Sequence, residues 1–204
     1  MAPLQDGDGE VVERFHATSG RITGCLTVVA SALVVAAGLA YLDDGFPAWV
    51  AAAALLVGVV GWTAMLRPAL WVTREHLVMQ NMFETVHIRL AAVEEMAVRQ
   101  VLAVRAGDRR LVSTVVGRTW RKALLARRRP GASGETQEGM SYADFVENRL
   151  HHLADDARAA AGVRPGSKEQ LALPDAVRRE PAMLPVALVV ASVLVLLVSF
   201  FVRT

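Results

Sequence analysis

Three long segments of the chain contain no charged residue, and they alternate with segments in which charged and apolar positions are mixed. The uncharged segments are residues 22–42, 45–66 and 181–202, which are 21, 22 and 22 residues long. About 20 helical residues cross the hydrocarbon core of a bilayer, and none of the three segments shows a polar helical face. The pattern predicts three transmembrane helices. The alternative is a set of apolar helices buried inside a soluble protein.

The first two segments are separated only by Asp43 and Asp44, which is too short a link to cross a bilayer, so they are predicted to form an antiparallel hairpin. Small residues allow helix backbones to approach closely in lipid. We expect such packing through Gly24, Ser31, Gly38, Gly58 and Gly61. A cleaved signal peptide is the alternative for the first segment, but the segment is longer than a signal-peptide core and its leader is acidic.

Basic residues near the ends of these segments predict the orientation, because Lys and Arg are enriched on the cytoplasmic side. One side collects eight of them: Arg14, Arg21, Arg67, Arg74, Arg164, Lys168, Arg178 and Arg179. The other side has only Arg203. We therefore predict a multi-pass protein of the cell (inner) membrane, with the N-terminus and residues 67–180 in the cytoplasm and the C-terminus outside.

The segment between the second and third spans changes its periodicity part-way along. Short runs rich in β-branched and large residues, broken by polar turns, predict six strands of an antiparallel sheet. The predicted strands are 69–72, 77–81, 85–89, 94–100, 101–106 and 109–116. An amphipathic helix is predicted at 141–161, where Val146, Leu150, Leu153 and Ala157 form an apolar stripe.

The strings 67–73 (RPALWVT), 77–81 (LVMQN), 90–93 (LAAV) and 106–110 (AGDRR) resemble the bacterial pleckstrin-homology-like (PH-like) domains of actinobacterial membrane proteins. The resemblance implies a bent seven-stranded sheet closed by a C-terminal helix, and it implies no enzyme activity. The chain departs from that pattern at Leu90, where the family often has Trp, and in an insertion at 127–140.

The predicted fold class is therefore an integral membrane α-helical protein, with a transmembrane hairpin and one C-terminal span, that carries a cytoplasmic α+β PH-like domain. The predicted order is a leader (1–21), the hairpin (22–66), the PH-like domain (67–162), a linker (163–180) and the third span (181–202).

Composition sharpens this assignment. The chain is 53% hydrophobic with a mean hydropathy of +0.35, so it is not a protein that is disordered over its whole length. It has a single cysteine, Cys25, which excludes a fold held together by disulfide bonds. The net charge of +2 conceals residues 99–129, where ten basic residues accompany only Asp108. We predict a lipid- or partner-binding site in this region. Its residues are Arg109, Arg110, Arg118, Trp120, Arg121, Lys122, Arg127, Arg128 and Arg129.

The function predicted from these features is a non-enzymatic, membrane-anchored module that binds anionic lipid headgroups or a protein partner at the cytoplasmic face. An accessory or structural subunit of a larger membrane complex is the alternative. The basic residues also fit a role that only fixes the topology. We expect no catalytic residue, metal, cofactor or nucleic-acid partner, since the paired His151, His152, Asp155 and Asp156 are typical of a solvated helix face.

Overall fold

The computed structural model describes residues 10–16, 20–41, 43–116 and 142–201. These residues divide into two compact units. The helical unit comprises Gly20–Pro68, Asn81–Glu84 and residues 180–201, and the β unit comprises the rest of the described residues. Five α-helices occur in the described part of the chain: α1 (Arg21–Ala40), α2 (Ala48–Gly61), α3 (Tyr142–Ala161), α4 (Lys168–Leu171) and α5 (Met183–Phe201).

The helical unit contains α1, α2 and α5. Helix α2 continues as a π-helical turn over Trp62–Leu66, so that Ala48–Leu66 forms one apolar segment of 19 residues. This segment, α1 and α5 are each long and apolar enough to cross a membrane. The prediction of three helices of transmembrane length and composition is thereby confirmed. The second helix begins at Ala48 instead of residue 45, because Pro47 stands at its N-terminus in an extended conformation.

Close packing joins α1 to α2. Gly24, Ser31 and Gly38 are the buried residues of α1. A Cβ atom built on Gly38 would lie 2.5 Å from the Ala51 Cβ, and one built on Gly58 would lie 2.9 Å from the Ser31 Cβ. Gly24 approaches Met65 and Gly61 approaches Thr27 in the same way. All five small residues selected from the sequence thus lie in the contact between α1 and α2, while α5 packs against α2.

Eight strands form the β unit and its links to the helices: β1 (Val11–Phe15), β2 (Ala69–Thr73), β3 (His76–Gln80), β4 (Glu84–Arg89), β5 (Val93–Val98), β6 (Leu102–Ala106), β7 (Arg109–Ser113) and β8 (Val177–Pro181). One sheet has the order β1-β2-β3-β4-β8, and a second sheet has the order β5-β6-β7. Neighbouring strands β1 to β4, and β5 to β7, pair antiparallel. Alternate side chains from both sheets, including Leu77, Ile88 and Leu102, form one buried core.

The six strands predicted from the sequence are all present, with ends shifted by up to three residues. Two further strands of the five-stranded sheet lie outside residues 67–162. Strand β1 lies in the predicted leader, and most of β8 lies in the predicted linker. Both are edge strands, and Phe15 is the only buried residue of β1, whereas β8 has none. A strand with so few buried positions lacks the alternation that identifies a strand in a sequence.

Helix α3 covers the outer edge of β5. Its Val146 and Leu150 are completely buried, and Leu153 and Ala157 pack against the core, which confirms the predicted apolar stripe. The Glu147 carboxylate accepts a hydrogen bond of 3.1 Å from the Val98 backbone N–H. The helix therefore satisfies an edge group that would otherwise be open to pairing with another strand.

A residue of the predicted linker also hydrogen-bonds to the backbone at the start of β5. Gln170, which is 2% exposed, donates from Nε2 to the backbone carbonyls of Ala91 and Val93, each at 3.0 Å. Its Oε1 accepts a hydrogen bond of 2.7 Å from the Gly166 N–H. The buried side-chain amide of Gln170 thus links the residues after α3 to the rest of the β unit through hydrogen bonds from Nε2 and to Oε1.

We predict that Gly38→Val destabilises the protein by about 1–3 kcal/mol, because the added carbons cannot fit beside Ala51 without moving a helix backbone. Thermal unfolding in detergent micelles measures the effect. The control Ala32→Val places the same valine side chain at an exposed position of α1 and is expected to leave the midpoint unchanged. Equal midpoints for the two variants would contradict the close packing.

Replacement of Gln170 by Leu is expected to cost about 1–3 kcal/mol, since it leaves two buried carbonyl groups without these hydrogen bonds. The same change should accelerate amide hydrogen exchange in β5. The neighbouring exposed residue provides a matched control, because Leu171→Ala removes apolar atoms that face solvent. A Leu variant as stable as the parent chain would show that the amide does not hold this segment.

Candidate functional site

An open groove of about 790 Å³ lies on the three-stranded sheet of the β unit. Strands β5, β6 and β7 supply most of its lining, and His151 of α3 contributes from the side. Its charged and titratable residues are Glu94, Glu95, Arg99, Arg105, Asp108, Arg110 and His151. The groove thus brings together side chains from four separate segments of the chain.

Strand register explains how these side chains meet. Glu95 lies opposite Arg105, and Arg105 lies opposite Arg110 in the next strand. Residues directly opposite in antiparallel strands share a face, so the three form one row across the sheet. Ala97, Ala103 and Val112 form the next row by the same pairing. The groove face therefore carries a charged row beside an apolar one.

The turn between β6 and β7 sets the position of the charged row. Gly107 adopts a φ of +59°, a left-handed conformation that glycine accepts without strain, and Asp108 completes the two-residue turn. Short hairpin turns of this kind fix the register of the strands that they join. The Gly107-Asp108 pair therefore determines that Arg105 and Arg110 face each other.

The groove is balanced in charge. The Arg105 Nε lies 3.6 Å from Oε2 of Glu94, whose side chain is 19% exposed while that of Arg105 is 56% exposed. Among the residues that the structure describes, three arginines and three carboxylates line the groove. Such a surface offers both a cationic and an anionic group to a ligand, and its apolar row offers a contact for a hydrophobic side chain.

The predicted binding residues fall into two groups. Arg109 and Arg110 are both exposed in β7, and because successive strand residues face opposite sides, only Arg110 belongs to the charged row. The others lie outside the described residues: Arg118, Trp120, Arg121, Lys122, Arg127, Arg128 and Arg129. The structure therefore gives positions for two of the nine residues.

Sequence reasoning missed the acidic partners of this basic surface. Glu94 and Glu95 precede the basic run in the chain and reach it only through pairing of β5 with β6. The predicted order of antiparallel strands was the available signal for these partners. Assigning a register to the hairpins of that sheet would have placed Glu95 opposite Arg105. His151 comes from a helix distant in sequence, so no local pattern indicates it.

His151 and Asp155 of α3 make different contacts in the structure. His151 lines the groove, whereas the Asp155 carboxylate accepts a hydrogen bond from the Arg158 guanidinium. Among the residues that the structure describes, no group of three or more His, Cys, Asp or Glu side chains is placed to hold a metal ion.

Comparison of the chain with family models, with curated proteins and with solved structures finds no match. The function proposed below therefore depends on the sequence pattern and on the geometry of the described residues.

We predict that Arg105→Ala changes the free energy of unfolding by less than about 1 kcal/mol, because the Arg105 side chain is 56% exposed and its ion pair with Glu94 is 3.6 Å long. Thermal unfolding of the purified chain measures this. The adjacent Val104 is 1% exposed and its truncation to Ala is expected to cost about 1–3 kcal/mol. A loss at Arg105 as large as that at Val104 would indicate that the charged row serves stability instead of binding.

Proposed function

We propose that this chain is a non-catalytic binding module anchored in the cell membrane, with a cytoplasmic PH-like β domain that contacts anionic lipid headgroups. Three apolar helices of transmembrane length support the anchor. Two antiparallel sheets followed by a helix that packs on their core support the PH-like assignment.

Strand pairing supports the proposed topology. Helices α1 and α2 stand between β1 and β2 in the chain, yet these strands are adjacent in one sheet. Strand β8 belongs to the same sheet and leads directly into α5. Because one sheet cannot lie on both sides of a bilayer, these links favour a hairpin that returns to its starting side. The excess of Lys and Arg on that side favours the cytoplasm.

The observation that carries the proposed ligand is the exposure of Arg105, Arg109 and Arg110 on one β-hairpin. Each Lys or Arg near an anionic leaflet gains about 1 kcal/mol. That attraction falls off within about 8–10 Å at physiological salt. Anchoring helices keep such a hairpin near the surface, so a weak attraction is sufficient for contact.

The balanced charge of the groove favours a second candidate, a partner protein. A lipid surface offers a dense layer of negative charge, to which Glu94, Glu95 and Asp108 are unsuited. A polypeptide can pair with both signs of charge and place an apolar side chain beside Ala97 and Ala103. On this alternative the chain acts as an accessory subunit of a membrane complex.

The headgroup proposal is tested with a fluorescent label on β7 of the full chain. Val112 is 43% exposed beside the arginines, and a Val112→Cys, Cys25→Ala variant accepts an environment-sensitive fluorophore at one position. We expect its emission to shift to the blue in nanodiscs that contain phosphatidylglycerol, relative to phosphatidylcholine alone. The shift should weaken with added salt, because the attraction is electrostatic.

Charge variants give this measurement its control. Adding Arg109→Gln and Arg110→Gln should reduce the blue shift at least two-fold. Adding Arg74→Gln removes an exposed arginine from the β2–β3 turn and should preserve the shift. Emission that is identical in both lipid compositions would reject the headgroup proposal and leave the partner protein as the better explanation of the groove.

A further inference from the structure

The turn between β3 and β4 belongs to the helical unit, although the strands on either side of it belong mainly to the β unit. The turn is closed by a hydrogen bond of 2.8 Å from the Asn81 N–H to the Glu84 carbonyl. Its three consecutive carbonyl groups, at Asn81, Met82 and Phe83, each accept a hydrogen bond from a residue at the end of an apolar helix.

Two of these hydrogen bonds come from Arg67, the residue that directly follows the second apolar segment. Its Nη1 donates to the carbonyl of Asn81 and, at 2.9 Å, to the carbonyl of Met82. Partial burial lowers the pKa of the Arg67 guanidinium from its ordinary value, and the group remains charged in any protein environment. Arg67 therefore ties the turn to the end of α2.

The third hydrogen bond ties the turn to α5. The backbone N–H of Ala182 donates to the Phe83 carbonyl at 2.8 Å, and Ala182 immediately precedes the first residue of α5. The turn is thus fixed at the point where the second apolar segment ends and the third begins. If these helices span a membrane, as proposed above, Phe83 lies at the level where they leave the hydrocarbon.

The Phe83 side chain is not fully covered by other residues of the described structure. It is 39% exposed, and apolar residues at the adjoining helix ends are exposed as well, namely Met65, Met183 and Leu184. Segments that lie at a membrane surface typically place Trp, Phe and Leu on the side that enters the lipid. A ring left in water at this position would forgo the free energy gained when apolar surface leaves water.

We propose that the β3–β4 turn is a membrane-surface anchor in which the Phe83 ring inserts among lipids at the boundary of the bilayer. The occupant that this surface fits is lipid, because the exposed apolar residues at the adjoining helix ends, Met65, Met183 and Leu184, meet lipid if the proposed spans cross the membrane. The contact is separate from the basic hairpin, and it requires only that the helices span the membrane. It would hold the start of β4 at the membrane by a non-covalent contact, in addition to the covalent links through the helices.

Spin labels measure the depth of this turn in the full chain. Three single-cysteine variants in a Cys25→Ala background are reconstituted in phosphatidylcholine nanodiscs: Phe83→Cys, Asp108→Cys and Leu188→Cys. Collision with oxygen reports lipid, and collision with a water-soluble nickel complex reports solvent. We expect the oxygen-to-nickel ratio at position 83 to exceed that at position 108 several-fold and to lie below that at position 188, within α5.

Three results would overturn the proposal. A ratio at position 83 equal to that at position 108 would place the ring in water. Low collision with both reagents would mean that protein covers it. A water-exposed label at position 188 would show that α5 does not span, which removes the premise of the anchor and of the proposed function together.

A second measurement needs no substitution at Phe83. The unmodified chain is reconstituted with a phosphatidylcholine that carries a photoactivatable group near its headgroup, and the adducts are mapped by mass spectrometry. We expect adducts on the peptide that contains Met82 and Phe83, as well as on Met183 and Leu184. Adducts on α5 without any on the turn would contradict the anchor, whatever the behaviour of the cysteine variants.

Discussion

A helix inside hydrocarbon must satisfy its backbone hydrogen bonds within itself, and the three apolar helices of this chain meet that constraint with segments of 19 or 20 residues. The ends of those helices are closely followed or preceded in the chain by strands of the five-stranded sheet. Strand β1 ends six residues before α1 begins, β2 begins three residues after Leu66, and β8 ends two residues before α5 begins. The five-stranded sheet therefore takes three of its strands from the segments that adjoin the helices.

Strong periodicity explains the part of the fold that the sequence predicted. Uncharged segments of about 20 residues indicate the apolar helices, and the stripe from Val146 to Ala157 indicates α3, because each pattern extends over several turns. Buried positions alternate in β6, at Leu102, Val104 and Ala106. Strands β3 and β4 each bury three consecutive residues, and these short apolar runs also indicate strands. Strands β1 and β8 escaped prediction because they are held mainly by backbone pairing at the sheet edges, and that pairing depends on the partner strand rather than on their own side chains.

The candidate site shows a similar division. Charge density along the chain identified Arg109 and Arg110 in β7. Glu94, Glu95 and His151 could not be associated with them, because those contacts arise from strand register and from the placement of α3. Consequently, a segment with a net charge of +9 in the sequence is accompanied by a groove with equal numbers of arginines and carboxylates in the fold. Charge counted along the chain thus leaves out the acidic side chains that strand pairing brings beside the described arginines.

The pairing of β1 with β2 also has a consequence for the order of events during synthesis. Strand β1 leaves the ribosome before α1 and α2, but its partner strand emerges only after both helices. On the proposed topology, this edge of the sheet can close only after the helical hairpin has entered the membrane and its second end has returned to the starting side. On that topology, an incorrectly inserted hairpin would leave β1 and β2 on opposite sides of the membrane, and the sheet could not be completed.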